Sequence, residues 1–106
     1  MTHEGNKEEA FAHLAAEFIN LESNRQSLIT VTRVGMSSDN KRADVFLTVL
    51  PESQEAVVLD FLKRKRSDFR NFVKKHTRGR IIPLFDFVYD VGEKNRQAID
   101  ALSEKA

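Results

Sequence analysis

Cysteine is absent from the 106 residues, so the chain can form no disulfide framework, no thiolate zinc site and no nucleophilic thiol. Tryptophan is absent too, and a single Tyr accompanies eight Phe, so a core must rely on Phe rings together with Val, Ile and Leu. The four Gly are scattered. Neither G-x-x-x-x-G-K-[ST] nor G-x-G-x-x-G occurs, which removes both glycine-rich phosphate cradles. No run approaches the roughly twenty apolar residues of a membrane span, and "MTHEGNKEEAF" carries neither the basic nor the apolar portion of a secretory signal. These absences predict a soluble, cytoplasmic protein with no membrane partner.

Candidates for catalysis are equally thin. His3, His13 and His76 lie far apart, and none is joined by a second His, Asp or Glu in a metal-ligand motif. His76 falls on an apolar helical stripe, where a packed or partly buried imidazole is expected. Asp39, Asp44, Asp86, Asp90, Glu52 and Glu55 read as loop, strand and cap carboxylates with no pairing suited to acid and base roles. The expectation is a protein that is not an enzyme, with no cofactor, no metal and no small-molecule substrate.

What is present begins with an ordinary soluble composition, 41% apolar and 31% charged, at the size of one domain. Phe11, Leu14, Ala15 and Phe18 fall at i, i+3, i+4 and i+7, which predicts a helix over residues 7 to about 22, with Glu8 and Glu9 near its positive end. "LITVTRVG" (28–35) alternates Leu28, Thr30, Thr32 and Val34 against Ile29, Val31 and Arg33. "RADVFLTVL" (42–50) sets Ala43, Val45, Leu47 and Val49 on one side, so the two segments predict an antiparallel hairpin around a loop of about six residues.

Beyond Pro51, Ser53 can cap a helix burying Val57, Val58, Phe61 and Leu62. Ser67 can cap another whose Phe69, Phe72, Val73 and His76 restart the pattern. The break in phase predicts a corner near Ser67, with one kinked helix as the alternative; Gly79 ends the helical region. "IIPLFDFVYD" places Phe85, Phe87 and Tyr89 on one strand face, with Pro83 at the strand's start or on an edge. The separation between the second and third strands permits parallel pairing. The predicted fold is therefore α+β, ordered α-β-β-α-α-β, a three-stranded mixed sheet covered by helices on one face. Residues 1–90 form the domain, and 91–106 a flexible or weakly helical tail with a short stripe at Ala98, Ile99 and Leu102.

Charge is the remaining signal. The formal net charge of +1 conceals a block at 60–80 where nine Lys or Arg face only Asp60 and Asp68, while the first 22 residues set five Glu against Lys7. Arg70, Lys74 and Arg78 recur every four residues beside the apolar stripe. Lys63 and Arg66 extend this charge from the preceding helix, and Arg64, Lys65, Lys75 and Arg80 widen it. Like charges at i and i+4 each cost about 0.2 to 0.5 kcal/mol in an isolated helix, so an anionic partner is expected to compensate them. Nucleic-acid phosphates fit, because neutralising them also releases condensed counterions. A solvated surface helix is the plainer reading, and a lipid surface would need a broader apolar face. Phe69 and Phe72 are committed to the core, which argues against a platform for stacking single-stranded bases.

The ordered pieces "LITVTRVGMSSDNKRADVFLTVL" and "IIPLFDFVYDVGEKNRQAIDAL", with the T-R-V, Ser-containing turn and A-x-V of residues 32–45 and the "FDFVYD" and "IDAL" that follow, resemble the ribosome-binding factor A family. The similarity runs from about residue 8 to Leu102. It implies a KH-like domain of the second topological type that binds 16S rRNA in the immature small (30S) ribosomal subunit, acting in late maturation, 16S rRNA processing and cold adaptation without catalysis. Lys63, Arg64, Lys65, Arg66, Arg70, Lys74, Lys75, Arg78 and Arg80 are the expected RNA-binding residues, on a monomer. The alternative is a KH-like interaction module whose basic face binds an acidic protein. The family's Ala-x-Gly kink between its second and third helices aligns with Lys65, Arg66 and Ser67, so the geometry of that corner sets how Arg70, Lys74 and Arg78 are presented.

Overall fold

A computed structural model describes residues 4–23, 26–77 and 81–93. The elements follow in the order α1 (Glu4–Glu22), β1 (Leu28–Met36), β2 (Arg42–Leu50), a single 3-10 turn (Glu52–Gln54), α2 (Glu55–Arg64), α3 (Arg66–His76) and β3 (Leu84–Tyr89). The sheet is ordered β1-β2-β3, with β1 antiparallel and β3 parallel to β2. All three helices pack against this sheet. The mixed pairing predicted from the spacing between strands is present, and α-β-β-α-α-β is the order of elements.

The β1–β2 loop is held by its own polar side chains. The Ser37 hydroxyl donates to the Asp39 carboxylate at 2.6 Å, the same carboxylate accepts the Lys41 amide at 3.1 Å, and the Arg42 amide donates back to Ser37 Oγ at 3.1 Å. Asn40 takes the left-handed conformation, φ 61°, that the tight turn requires and that Asn tolerates better than most residues. Met36, expected in the loop, instead closes β1, and its amide donates to Glu8 Oε2 at 3.1 Å. Glu8 thereby ties the first turns of α1 to the far end of the hairpin.

Strict alternation fails at one place in β1. Ile29 faces Val49 and Val31 faces Leu47, but the register shifts between Val31 and Arg33, so Arg33 faces Phe46 and Val34 faces Val45. Thr32 is the extra residue of a bulge, and a bulge reverses the faces of everything beyond it. Val34, expected on the side of Leu28 and Thr30, therefore joins Ile29 and Val31 and is buried. On the uncovered face, the Arg33 guanidinium lies 3.7 Å from the centre of the Phe46 ring.

Asp90 holds the bulge in place. The Thr32 hydroxyl donates to Asp90 Oδ2 at 2.5 Å and lies 3.2 Å from the Phe46 carbonyl; Arg33 Nε approaches Asp90 Oδ2 at 3.6 Å. The Asp90 amide donates to the Leu47 carbonyl, and Asp90 Oδ1 accepts the amide of Glu93. One carboxylate just past β3 thus fastens the bulge of β1 across the intervening β2. Replacing it removes the acceptor of the Glu93 amide and leaves the Thr32 hydroxyl only the Phe46 carbonyl at 3.2 Å, in a part-buried setting. Asp90→Ala is expected to cost about 1 to 3 kcal/mol in urea unfolding, with Asp90→Asn recovering part of that loss because its carbonyl still accepts.

The core gathers Phe11, Ala15, Phe18 and Ile19 of α1, Val34 of β1, and Ala43, Val45, Leu47 and Val49 of β2. It is completed by Val58 and Leu62 of α2, Phe69 and Val73 of α3, and Ile82, Phe85 and Phe87 in and before β3. The inward side of β2 is as its period of two predicts. Each helical stripe is narrower than expected: Leu14, Phe61 and Phe72 are half-buried, and Val57 is exposed. Among the described residues no helix is long and apolar enough to cross a membrane. The tail stripe at Ala98, Ile99 and Leu102 lies outside the described residues.

Candidate nucleic-acid interface

The site is built on the corner between α2 and α3. Neither expected Ser cap forms: Gln54 precedes α2, Lys65 precedes α3, and neither supplies a side-chain cap bond. Ser53 sits within the 3-10 turn and Ser67 is already inside α3. The corner is one residue, Lys65, with φ −100° and ψ 10°, whose amide returns to the Leu62 carbonyl at 2.9 Å. Arg66 completes it, its Nε donating at 2.9 Å to the Lys63 carbonyl left open at the end of α2. The turn needs no glycine, because φ at Lys65 is negative, and a basic side chain of the second helix donates to the end of the first.

Lys65 also reaches backwards. Its Nζ lies 3.4 Å from Glu22 Oε1 at the end of α1 and 3.7 Å from Asp68 Oδ2. Asp86 of β3 meets the corner from the other side, where Lys63 Nζ donates to its Oδ1 at 2.8 Å and Arg66 Nη1 stands 3.4 Å from the same oxygen. The Phe87 amide donates to that oxygen as well, at 2.8 Å. Partial burial, the largest single influence, pushes the Asp86 carboxyl up. The Lys63 and Phe87 hydrogen bonds, with the charges of Lys63 and Arg66, outweigh it and hold the group below its ordinary value. Asp86, read from sequence as an ordinary strand carboxylate, is thus the hub of the corner.

Arg70 is a tether. Half-buried, it donates from Nε to the Pro83 carbonyl at 3.2 Å and from Nη2 to the Ile82 carbonyl at 3.0 Å. It thereby satisfies the chain just before β3, where Ile82 and Pro83 are buried. Arg64 pairs with Asp60 at 3.0 Å on an open surface, a contact worth little in water. Lys74 and Lys75 are exposed in the last turn of α3 and have no ion-pair partner among the described residues. Arg78 and Arg80 lie outside the described residues, as does Gly79.

The structure thus gathers Lys63, Arg64, Lys65, Arg66, Arg70, Lys74 and Lys75 on two consecutive helices, and gives the first five partners within the fold. A groove of about 270 Å³ opens beside them, lined by Arg42, Asp44, Arg66, Ser67, Arg70 and Asp86 among others. His76 differs from expectation. It is exposed, with its ring stacked on Phe72 at 4.3 Å and its Nδ1 2.8 Å from the Phe72 carbonyl, an acceptor that keeps the proton on that nitrogen. Among the described residues no three His, Cys, Asp or Glu come together as metal ligands would.

Fold and site together define a small KH-like α+β domain whose polar chemistry is concentrated at a cation-rich corner between two helices. The chain belongs to the ribosome-binding factor A family, whose model matches residues 5–103. Ribosome-binding factor A of Fervidobacterium nodosum is 37% identical over 68 residues, which cover 63% of this chain and 54% of that protein. The Thermodesulfovibrio yellowstonii protein is 35% identical over 78 residues, 74% of this chain and 66% of its own length. These alignments thus span less than two thirds of either relative.

Among solved structures, the crystal structure of ribosome-binding factor A from Thermus thermophilus superposes with a TM-score of 0.68 at 24% identity, covering 79% of this chain and 91% of that one. A solution structure from Thermotoga maritima gives 0.65 at 27% identity, covering 82% and 88%. A homology model of the Thermus thermophilus protein has also been fitted into the cryo-EM map of a complex of the 30S subunit with ribosome-binding factor A.

Proposed function

We propose that this protein binds the immature small ribosomal subunit as a cytoplasmic, monomeric assembly factor. Its basic corner would meet 16S rRNA during late maturation and rRNA processing, including growth in the cold. Membership of the ribosome-binding factor A family carries the reading, and the two exposed lysines that end α3 give it a surface ready for phosphate. Phosphate contacts supply most of the affinity in such an arrangement, and helix shape rather than base edges supplies selectivity, because the rings beside the basic side chains are turned into the core. The proposed contact set is Lys63, Arg64, Lys65, Arg66, Arg70, Lys74, Lys75, Arg78 and Arg80, of which Arg70 would act from its place against the carbonyls before β3.

Co-sedimentation of the purified protein with immature 30S particles, repeated with 16S rRNA stripped of ribosomal proteins, tests this. Both should retain the protein at about 50 mM salt and lose most of it by about 200 mM, the steep dependence that released counterions impose. Retention by the particles with none by the bare rRNA would instead favour an acidic protein as the partner.

A further inference from the structure

The corner is already occupied by an anion of the protein's own. Asp86 Oδ1 sits 2.8 Å from Lys63 Nζ, the distance at which a phosphate oxygen would engage it, and in a looser contact 3.4 Å from Arg66 Nη1. The carboxylate also borders the groove that Arg42, Arg66 and Arg70 line. The same oxygen accepts the Phe87 amide at 2.8 Å. Two of the nine proposed cations therefore share one carboxylate in the free protein at the point where the two helices meet.

We propose that Asp86 is an internal competitor for phosphate, weakening the corner's hold on RNA by keeping Lys63 and Arg66 engaged until a phosphate displaces it. This rests on the reading that the basic corner binds RNA, and adds a setting of its strength. Such competition weakens the complex, because every contact made at Lys63 and Arg66 has first to break a contact with Asp86. Lys74 and Lys75 face no such rival and would make the first contacts.

Asp44 provides the comparison. It lines the same groove, faces Asp86 across the parallel pairing, is exposed, and has no ion-pair partner among the described residues. Asp44→Asn and Asp86→Asn remove the same charge from the same place, but only the second releases two cations. With protein-free 16S rRNA, Asp86→Asn should bind on the order of 3- to 10-fold more tightly. Because a phosphate has displaced Asp86 in the complex of the unaltered protein, the number of phosphates contacted, and with it the dependence of log K on log salt, should change little. Asp44→Asn, which frees no paired cation, should gain clearly less affinity than Asp86→Asn.

A second comparison does not depend on the Asp86 variant folding. In the otherwise unchanged protein, Lys63→Gln should weaken binding by less than Lys74→Gln, because Lys63 is held by Asp86. In the Asp86→Asn background Lys63→Gln should weaken it by more than it does alone. Equal gains in affinity from the two Asp variants, or an equal loss from Lys63→Gln and Lys74→Gln, would overturn the competition while leaving RNA binding in place. Absence of binding by the folded, unaltered protein would remove both.

Discussion

Phe69→Ala is expected to destabilise the domain by about 3 to 5 kcal/mol, the usual cost of emptying a closed aromatic site. Phe69 is fully buried, and its ring centre lies 4.7 Å from that of Phe85, 5.3 Å from Phe18 and 5.5 Å from Phe87. Those neighbours belong to β3 and α1, so the cavity left by the ring would be walled by elements that cannot all move inward together. Each aromatic pair adds about 0.5 to 1.5 kcal/mol beyond the area it buries. Against a total stability of about 5 to 15 kcal/mol for such domains, the loss is large enough to populate unfolded chains at moderate temperature. In urea the midpoint should fall with little change in slope. Phe72→Ala should cost clearly less, because that ring is half-buried and rests on Phe18 at 5.6 Å and exposed His76. Equal losses from the two variants would show that Phe69 is not the centre of the core.

The contrast between Phe69 and Phe72 marks how far periodicity reaches. Both occupy the apolar stripe of α3, and the stripe alone ranks them equally. Both rings meet Phe18 of α1, and the docking of α3 on β3 separates them, because only Phe69 also packs on Phe85 and Phe87. β2 was legible down to each inward residue because its period of two runs unbroken from Ala43 to Val49 and all four positions are buried. β1 was not, because its bulge is imposed by Asp90, which lies 58 positions away from the Thr32 it binds. A contact at that separation leaves no trace in the local alternation.

The corner between the helices shows the same limit in another form. Ser53 and Ser67 are residues of the capping type, yet Ser53 lies in the 3-10 turn before α2 and Ser67 inside α3. Capping preference is local, whereas this corner is fixed by long side chains reaching across it: Arg66 to the open Lys63 carbonyl, Lys65 to Glu22, and Lys63 and Arg66 to Asp86. The density of basic residues was visible as charge. That much of this charge is employed in joining α1, α2, α3 and β3 was not, because the acidic partners are drawn from segments 20 or more positions away in three of those contacts.

This distinction decides which charges report on RNA. Reversing Arg70 would break two hydrogen bonds to the carbonyls of Ile82 and Pro83 and leave a carboxylate against buried backbone, so lost binding would not be separable from lost structure. Lys74 and Lys75 are exposed and unpaired among the described residues, and their reversal leaves the interior intact. The double substitution Lys74→Glu with Lys75→Glu should cost at most about 1 kcal/mol of stability per residue, through the unfavourable placement of negative charge at the end of α3. Its affinity for 16S rRNA should fall on the order of 30- to 100-fold at low salt, and the dependence of log K on log salt should become shallower by about two, one for each lost phosphate contact. The loss should be uniform across unrelated RNA sequences, since contacts to phosphate carry no base information. A folded double variant that binds with the affinity and salt slope of the unaltered protein would place the RNA-binding surface elsewhere on the domain.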